Sequence, residues 1–519
     1  MTAKGVIAAG HAETVNAAAA ILQDGGNAFD AVVAATCAAC AVEPVLSSLG
    51  GGGFLLARPA AGEPVLYDFF SQTPKARLPE TEADFYPIIA DFGTATQEFH
   101  IGMGSIAVPG TVRGLFRVHR DLCTMPMTRL VEPARALARD GFTVNRLQAY
   151  LFKVVGPIYM ASRASRDIFE SRAAAGQLMG EGETMRNPGL ADTLEALARD
   201  GEDLFYRGDI AARIAADCRA GGGSLAVGDL EDYQAVRRRP LAVGHGGARL
   251  HTNPPPSTGG ILIAFALGLL RDRDLTAERF GAFRHLAALT RVMDSTNRAR
   301  IESRLHQDGE ADGERLLLDP TFLETYRREI LDRPKAARGT THVSVIDRAG
   351  NAAALTLSNG EGCGYVVPGT GIMLNNMLGE EDINPLGFHR WPTDTRIASM
   401  MAPSLAVEGD GSITALGSGG SNRIRTAILQ VLINMLDFKM PAAAAVEAPR
   451  LHFENGLLSI EPGFDDQTVE RLAADFDKID KWDGLNLFFG GVHVARLDGL
   501  TGRFTGGGDP RRGGEARVV

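Results

Sequence analysis

The chain has 519 residues, 45% of them apolar and 22% charged, which is too long for one small core and too apolar for disorder. Its 53 Lys and Arg against 63 Asp and Glu leave a formal net charge of −10, which disfavours nucleic-acid phosphates or anionic lipid as partners. Five cysteines, an odd number, do not make a disulfide framework.

In chain order, the segment ahead of His11 and Glu13 has no sustained hydrophobic region, so it does not read as a secretory signal and a cytoplasmic location is expected. Helices are expected over 13–24 and 27–42, stopped by Gly25-Gly26 and by Glu43-Pro44. Both are rich in alanine and should pack closely. Cys37 and Cys40 form a C-x-x-C inside the second helix with no further ligand pair nearby, which fits a buried small-residue helix better than a metal or redox site. Four glycines at 50–53 lead into an apolar strand over 49–57, with a second strand at 65–70.

A mainly helical stretch follows over 111–219. Pro254-Pro-Pro-Ser-Thr-Gly-Gly260 fixes a turn before an apolar helix. That apolar run, 260–270, is about half of the roughly 20 residues a membrane-spanning helix needs, so no membrane segment is expected. Residues 271–338 are charged and helix-prone and end in a polar loop. The texture then changes: 340–347 alternates polar and apolar residues, 348–351 is a turn, and 352–358 returns as a partner strand. The Gly339/Thr340 boundary therefore divides a helix-rich portion, 1–339, from a portion, 340–519, that opens on a strand.

Thr340 stands at the start of that strand, directly after the polar loop. If the peptide bond before it were cut, Thr340 would gain an α-amine, which titrates at roughly 7.7 to 8.0 and suits proton transfer near neutral pH. The amine can then act as general base for the residue's own hydroxyl. An acyl-transfer reaction also needs fixed donors for an oxyanion. Gly417-Ser-Gly-Gly-Ser-Asn-Arg423 runs straight into an apolar helix from 424, and backbone N–H groups before a helix start suit negative charge. A phosphate-binding loop would need the Walker spacing and its Lys, both missing here; a purely structural turn is the other alternative. Alternation puts His342 on the same face as Thr340, where it either reaches the site or fills the core, packing being preferred. The remaining histidines show no metal-ligand spacing.

The segment Thr340-Thr-His-Val-Ser-Val-Ile-Asp-Arg-Ala-Gly-Asn351 resembles the nucleophile strand of the γ-glutamyltranspeptidase family of N-terminal nucleophile hydrolases. Further landmarks occur in family order: Gly25-Gly-Asn-Ala-Phe-Asp-Ala31, Glu43-Pro44 with Gly50-Gly-Gly-Gly-Phe54, Val108-Pro-Gly110, Pro254 to Gly260, Pro368-Gly-Thr-Gly-Ile-Met-Leu-Asn-Asn376, Gly417-Ser-Gly-Gly420 and Gly508-Asp-Pro-Arg-Arg512. The resemblance implies an α+β fold, a four-layer αββα sandwich formed jointly by the two portions. It implies self-cleavage between Gly339 and Thr340 into chains that stay associated, with a dimer of such units as a further expectation. It also implies acyl transfer from a small-molecule amide, with glutathione as the default, to water or an amine, and neither metal nor organic cofactor. By similarity the oxyanion hole falls at Gly420 and Ser421, or one residue earlier at Gly419. Ser358 takes the place of a second threonine bonded to the nucleophile, and Asn359 lies within one position of an amine-binding asparagine.

The sequence departs from the family pattern around the substrate. Phe70 stands where the family has a carboxylate-binding arginine, a role suited to bidentate recognition. Asn375-Asn-Met-Leu-Gly-Glu-Glu381 replaces a stretch ending in an amine-binding acid; Glu380 can take over for that acid, whereas Met377 cannot replace a glutamine. Ser399-Met-Met-Ala-Pro403 keeps one of two serines. Arg58 or Arg77 is the nearest alternative source of positive charge. The stretch between Glu380 and Ser399 is short, so a more open cleft is expected. Phe70, Met377 and Met400 favour an acyl group less polar than γ-glutamate, as in the cephalosporin acylases of the family. An uncleaved binding protein that keeps the fold is a third alternative.

Overall fold

The computed structural model describes residues 3–91, 96–271, 273–303, 317–319, 322–323, 340–384, 386–454, 456–476 and 478–519. Gly339 and much of the charged stretch after residue 303 lie outside the described residues.

Thirteen strands, numbered here in chain order, build two large sheets. These are β1 (Gly5–Ala9), β2 (Gly52–Arg58), β3 (Val65–Phe69), β4 (Val236–Arg238), β5 (Leu241–His245), β6 (Ala248–Thr252), β7 (Thr341–Asp347), β8 (Ala352–Ser358), β9 (Ser404–Glu408), β10 (Ile413–Gly419), β11 (Gly491–Leu497), β12 (Phe504–Gly507) and β13 (Glu515–Val518). One sheet runs β13-β1-β7-β8-β2-β3-β4 and the other β12-β11-β10-β9-β6-β5. Neighbours in both are antiparallel; β7 and β8 pair Thr341 with Leu357 and Ile346 with Ala352. Strands from either side of the 339/340 boundary interleave in both sheets, so the two portions share one core.

The sheets stack face to face and helices cover both outer faces, which gives the αββα order expected. Helices α1 (Ala12–Gln23) and α2 (Ala28–Val42) pack Val15, Ala18, Val32 and Ala35 against Val343, Val345 and Leu355 of the first sheet. Between the sheets, Val6, Leu56, Ile346 and Ala354 meet Leu405, Ala415 and Val494. Helices α3 (Thr258–Leu270) and α4 (Arg423–Leu436) close the far side with Ile261, Leu262, Ile428 and Leu432.

Local chemistry explains why these segments fold so. Asn27 and Asp30 cap α2 reciprocally, and every residue of that helix is buried, Cys37 and Cys40 included. Its alanines let two helices and a sheet approach closely. Asp347, at the end of β7, accepts a 2.9 Å hydrogen bond from Ala28 N and so places a carboxylate at the positive end of α2. Strand β7 is thereby tied to the helical layer on the outer face of its sheet at one end and leads to the candidate site at the other. Among the described residues no helix is long and apolar enough to cross a membrane.

Candidate active site

The first residue before β7 is Thr340, 4% exposed. Its neighbour Thr341 turns to the helical side, where Thr341 Oγ1 donates to Glu43 Oε2 at 2.7 Å and Thr14 Oγ1 donates to Oε1 at 2.9 Å. Period-two alternation sends Thr340 the other way, to a cavity of about 30 Å³. That volume holds about one or two waters. Phe70, Ser358, Glu380, Ser399 and Ser421 line the same cavity as Thr340, although they come from five separate stretches of sequence.

The glycine turn stands against Thr340. A Cβ at Gly419 would overlap the Thr340 carbonyl oxygen, so a side chain there is excluded by close approach. Beyond it, Gly420 (φ +122°) and Ser421 (φ +51°) both take positive φ, and Arg423 N and Ile424 N donate to their carbonyls at 3.0 and 2.9 Å to start α4. Among the described residues, the N–H groups of Gly420 and Ser421 have no protein acceptor. Donors of this kind at a helix start are able to accept developing negative charge. Ser421 is held in its costly conformation by a side-chain bond: its Oγ donates to Asp382 Oδ2 at 2.7 Å.

The cavity wall opposite is a strap through Ser399, Met400 and Met401. Thr258 N donates to Ser399 O at 2.7 Å, Ser257 Oγ donates to Met401 O at 2.7 Å, and Met401 N donates to Ser399 Oγ at 3.1 Å. The Pro254–Gly260 segment is therefore a dock for this strap as well as a turn into α3. A third side comes from the segment after Asn375 and Asn376. Asn375 Nδ2 donates to Gly50 O and Ala107 O at 2.8 and 2.9 Å. Asn384 Nδ2 donates to Met377 O and Glu380 O at 2.9 and 2.7 Å, folding Met377, Glu380 and Asp382 over the site.

The structure decides between the alternatives for His342, and core packing, the preferred one, is what it shows. His342 does not line the cavity: it is fully buried between the sheets, where a Cβ at Gly417 would overlap its ring. Its Nδ1 lies 2.8 Å from Thr356 Oγ1 and its Nε2 2.9 Å from Ser344 Oγ. Ser344 Oγ directs its own proton to His493 O, so Nε2 is the donor and Nδ1 the acceptor of a neutral ring. Burial, and then His493, push its pKa well below the usual histidine range. Asn359 is fully buried just past the end of β8 and is not among the cavity-lining residues. Arg58 donates to Gly350 O at 3.0 Å, at the turn between β7 and β8, and Arg77 donates to His389 O at 2.7 Å and lies over Trp391; neither lines the cavity. Met377, Ile383, Met400 and Met401 add apolar surface to the cavity wall.

Two residues escaped the sequence reading. Asp382 is one, although the run Glu380-Glu-Asp382 was a usable signal. Arg396 is the other: it donates to Phe70 O, Tyr233 Oη and Gln234 O, and its Nε lies 3.6 Å from Asp68 Oδ1. This guanidinium sits behind Phe70 with its hydrogen bonds committed to protein. Among the described residues, the cavity-lining side chains thus include two carboxylates, Glu380 and Asp382, and no cation.

Residues 14–519 match the family profile described as Gamma-glutamyltranspeptidase. The chain is 30% identical to the glutathione hydrolase proenzyme of Escherichia coli (strain K12), over 98% of this chain and 90% of that one. It is 29% identical to the acylase ACY 1 proenzyme of Pseudomonas sp. (strain V22), over 92% and 87% of the two chains. In three dimensions it resembles the cephalosporin acylase from Bacillus halodurans, with a TM-score of 0.86 and 23% identity over all of this chain and 96% of that one, a likeness of fold. The whole-length match and the shared architecture place the chain in the γ-glutamyltranspeptidase family.

Proposed function

We propose that this enzyme is an amidohydrolase and acyltransferase that cuts its own chain between Gly339 and Thr340 and then uses Thr340 as nucleophile. The observation that carries this is the placement of Thr340 in the cavity beside the open N–H groups of Gly420 and Ser421. In the reaction Thr340 Oγ attacks the amide carbonyl while its proton passes to the neutral α-amine of the same residue. The oxyanion is held by Gly420 and Ser421, with Gly419 keeping the turn close. Collapse breaks the C–N bond, and the leaving amine takes the proton from the α-ammonium. Water or an acceptor amine then attacks the ester, the α-amine again serving as base. Ser358 and Ser399 offer hydroxyls in the same cavity, and Glu380 a carboxylate for a substrate amine. The interleaved sheets support lasting association of the two cleaved chains.

γ-Glutamyl amides such as glutathione are the reference substrates of this reading. A specific observation favours a second one, an acylase for a less polar acyl group: Phe70, Met377, Met400 and Met401 line the cavity with no cation among the described residues, and apolar contact does not replace a bidentate carboxylate clamp. A panel of γ-glutamyl, glutaryl and aliphatic chromogenic amides separates the two. The cavity favours turnover of the aliphatic amides at kcat/KM above the γ-glutamyl and glutaryl ones, both of which carry a free carboxylate. Preference for γ-glutamyl by several orders of magnitude overturns the role given to Phe70, and no turnover of any amide overturns the proposal.

A further inference from the structure

We infer that Arg512 is a positioning residue that grips Thr340 by its carbonyl and, once the chain is cut, keeps the new α-amine in its uncharged, proton-accepting form. This rests on the reading of Thr340 as a nucleophile freed by self-cleavage.

Arg512 is 6% exposed, and its Nη1 donates to Thr340 O at 3.2 Å. The guanidinium runs along the back of the glycine turn: a Cβ at Gly419 would stand 3.2 Å from Nη1 and one at Gly420 3.3 Å from Nη2. Its methylene stem fills the space left by Gly491, the residue paired with Gly419 across β10 and β11. One side chain therefore touches both the nucleophile's backbone and the turn that carries the oxyanion donors.

Its charge is weakly compensated. Among the described residues Arg512 forms no ion pair, and its Nε has no partner. Asp509, an acid close by in sequence, is bound to Arg450 at 2.7 Å, to Arg511 at 3.2 Å and to Val492 N at 2.8 Å. Burial draws Arg512 down to about 10, with Asp509 and then Glu43 opposing, so it stays charged at neutral pH. The carboxylates of Glu43, Asp382 and Glu380 also face this end of β7 and act against Arg512, whereas the nearby histidines do not. Glu43, reached through Thr341 from the end of α2, accepts from two hydroxyls. Asp382 accepts from Ser421, and Glu380 lies on the cavity wall. His342 and His493, between the sheets, are held neutral by burial.

A residue's amine and carbonyl oxygen are close neighbours, so a cation on the oxygen lies about 5 to 7 Å from the amine, near enough to lower its pKa by about one pH unit. Arginine serves this purpose because it does not exchange its own proton in the reaction.

The test is a titration of the Thr340 amine in the self-cleaved full-length protein. The probe is acetic anhydride in trace amount, and the mass of the peptide that begins at Thr340 gives labelling against pH. The wild-type amine is expected to titrate below the ordinary range of roughly 7.7 to 8.0. Arg512→Gln should raise it by about one pH unit, and Arg512→Lys should leave it nearer wild type. A merely structural role would lower yield or Tm in both variants without moving this titration. A wild-type amine titrating at about 8 or above, or no rise in Arg512→Gln, overturns the inference. If Arg512→Gln fails to fold or cleave, the wild-type value decides alone. A cleaved chain with an ordinary amine refutes this inference only; an uncut wild-type chain refutes the self-cleavage reading as well.

Discussion

Ser421 Oγ donates a 2.7 Å hydrogen bond to Asp382 Oδ2, which joins the glycine turn before α4 to the segment that covers the cavity. Asp382 therefore holds a non-glycine residue at φ +51°, a conformation that costs about 1 to 3 kcal/mol unless its surroundings fix it. Asp382→Ala should lower kcat for a chromogenic amide about tenfold or more through the loosened Ser421 N–H, with Asp382→Asn keeping most of the rate. Single-turnover kinetics on the cleaved enzyme would read this; an unchanged acylation rate in Asp382→Ala would show that the bond does not position the donor.

His342 belongs to the core rather than to the chemistry. His342→Ala leaves a cavity between the sheets and strips partners from Thr356 and Ser344, with an expected loss of about 2 to 4 kcal/mol of stability. Urea unfolding should show that loss. The protein that does fold should still begin its second chain at Thr340; a stable variant without cleavage or turnover would move His342 into the mechanism.

Buried neutral histidines also make the fold sensitive to acid. His285 and His493 are pushed down to about 4, chiefly by burial, and His342 well below its usual range for the same reason. An unfolded histidine titrates near 6.5, so between about 6.5 and about 4 the unfolded chain binds more protons than the folded one. The sign is therefore a loss of stability as pH falls, about 1 kcal/mol per pH unit for each such histidine. Calorimetry should show Tm level above about pH 7 and falling steadily below about 6.5; a Tm that holds to pH 5 would mean these rings are charged in the folded state.

Much of the fold was legible because its signals are local. Gly25-Gly26 and Glu43-Pro44 bracket α2, and the expected 27–42 helix is observed as Ala28–Val42. The 340–358 hairpin was readable from alternation, although every residue of β7 and β8 is buried. Its polar residues, His342 and Ser344, mark the inter-sheet face instead of a solvent face. The strands β5, β6, β9 and β11 went unnamed, although Gly246-Gly247 joins β5 to β6 as a two-residue turn and was a usable signal. At the site, Thr340, Phe70, Ser358, Glu380, Ser399 and Ser421 were named from sequence and converge on one cavity. The limits have a common cause in long-range placement. Arg396 contacts Phe70 across 326 positions and Arg512 contacts Thr340 across 172, and no periodicity encodes such partners. Asn359 followed the motif and is buried beside the site without lining the cavity.

The account stands most directly on the N-termini of the purified protein, read by intact mass spectrometry of wild type and Thr340→Ala. It predicts a wild-type chain that begins at Thr340 alongside one that ends at Gly339, and an uncut Thr340→Ala. A wild-type chain that remains whole at 55.2 kDa, or equal cleavage in Thr340→Ala, would contradict it.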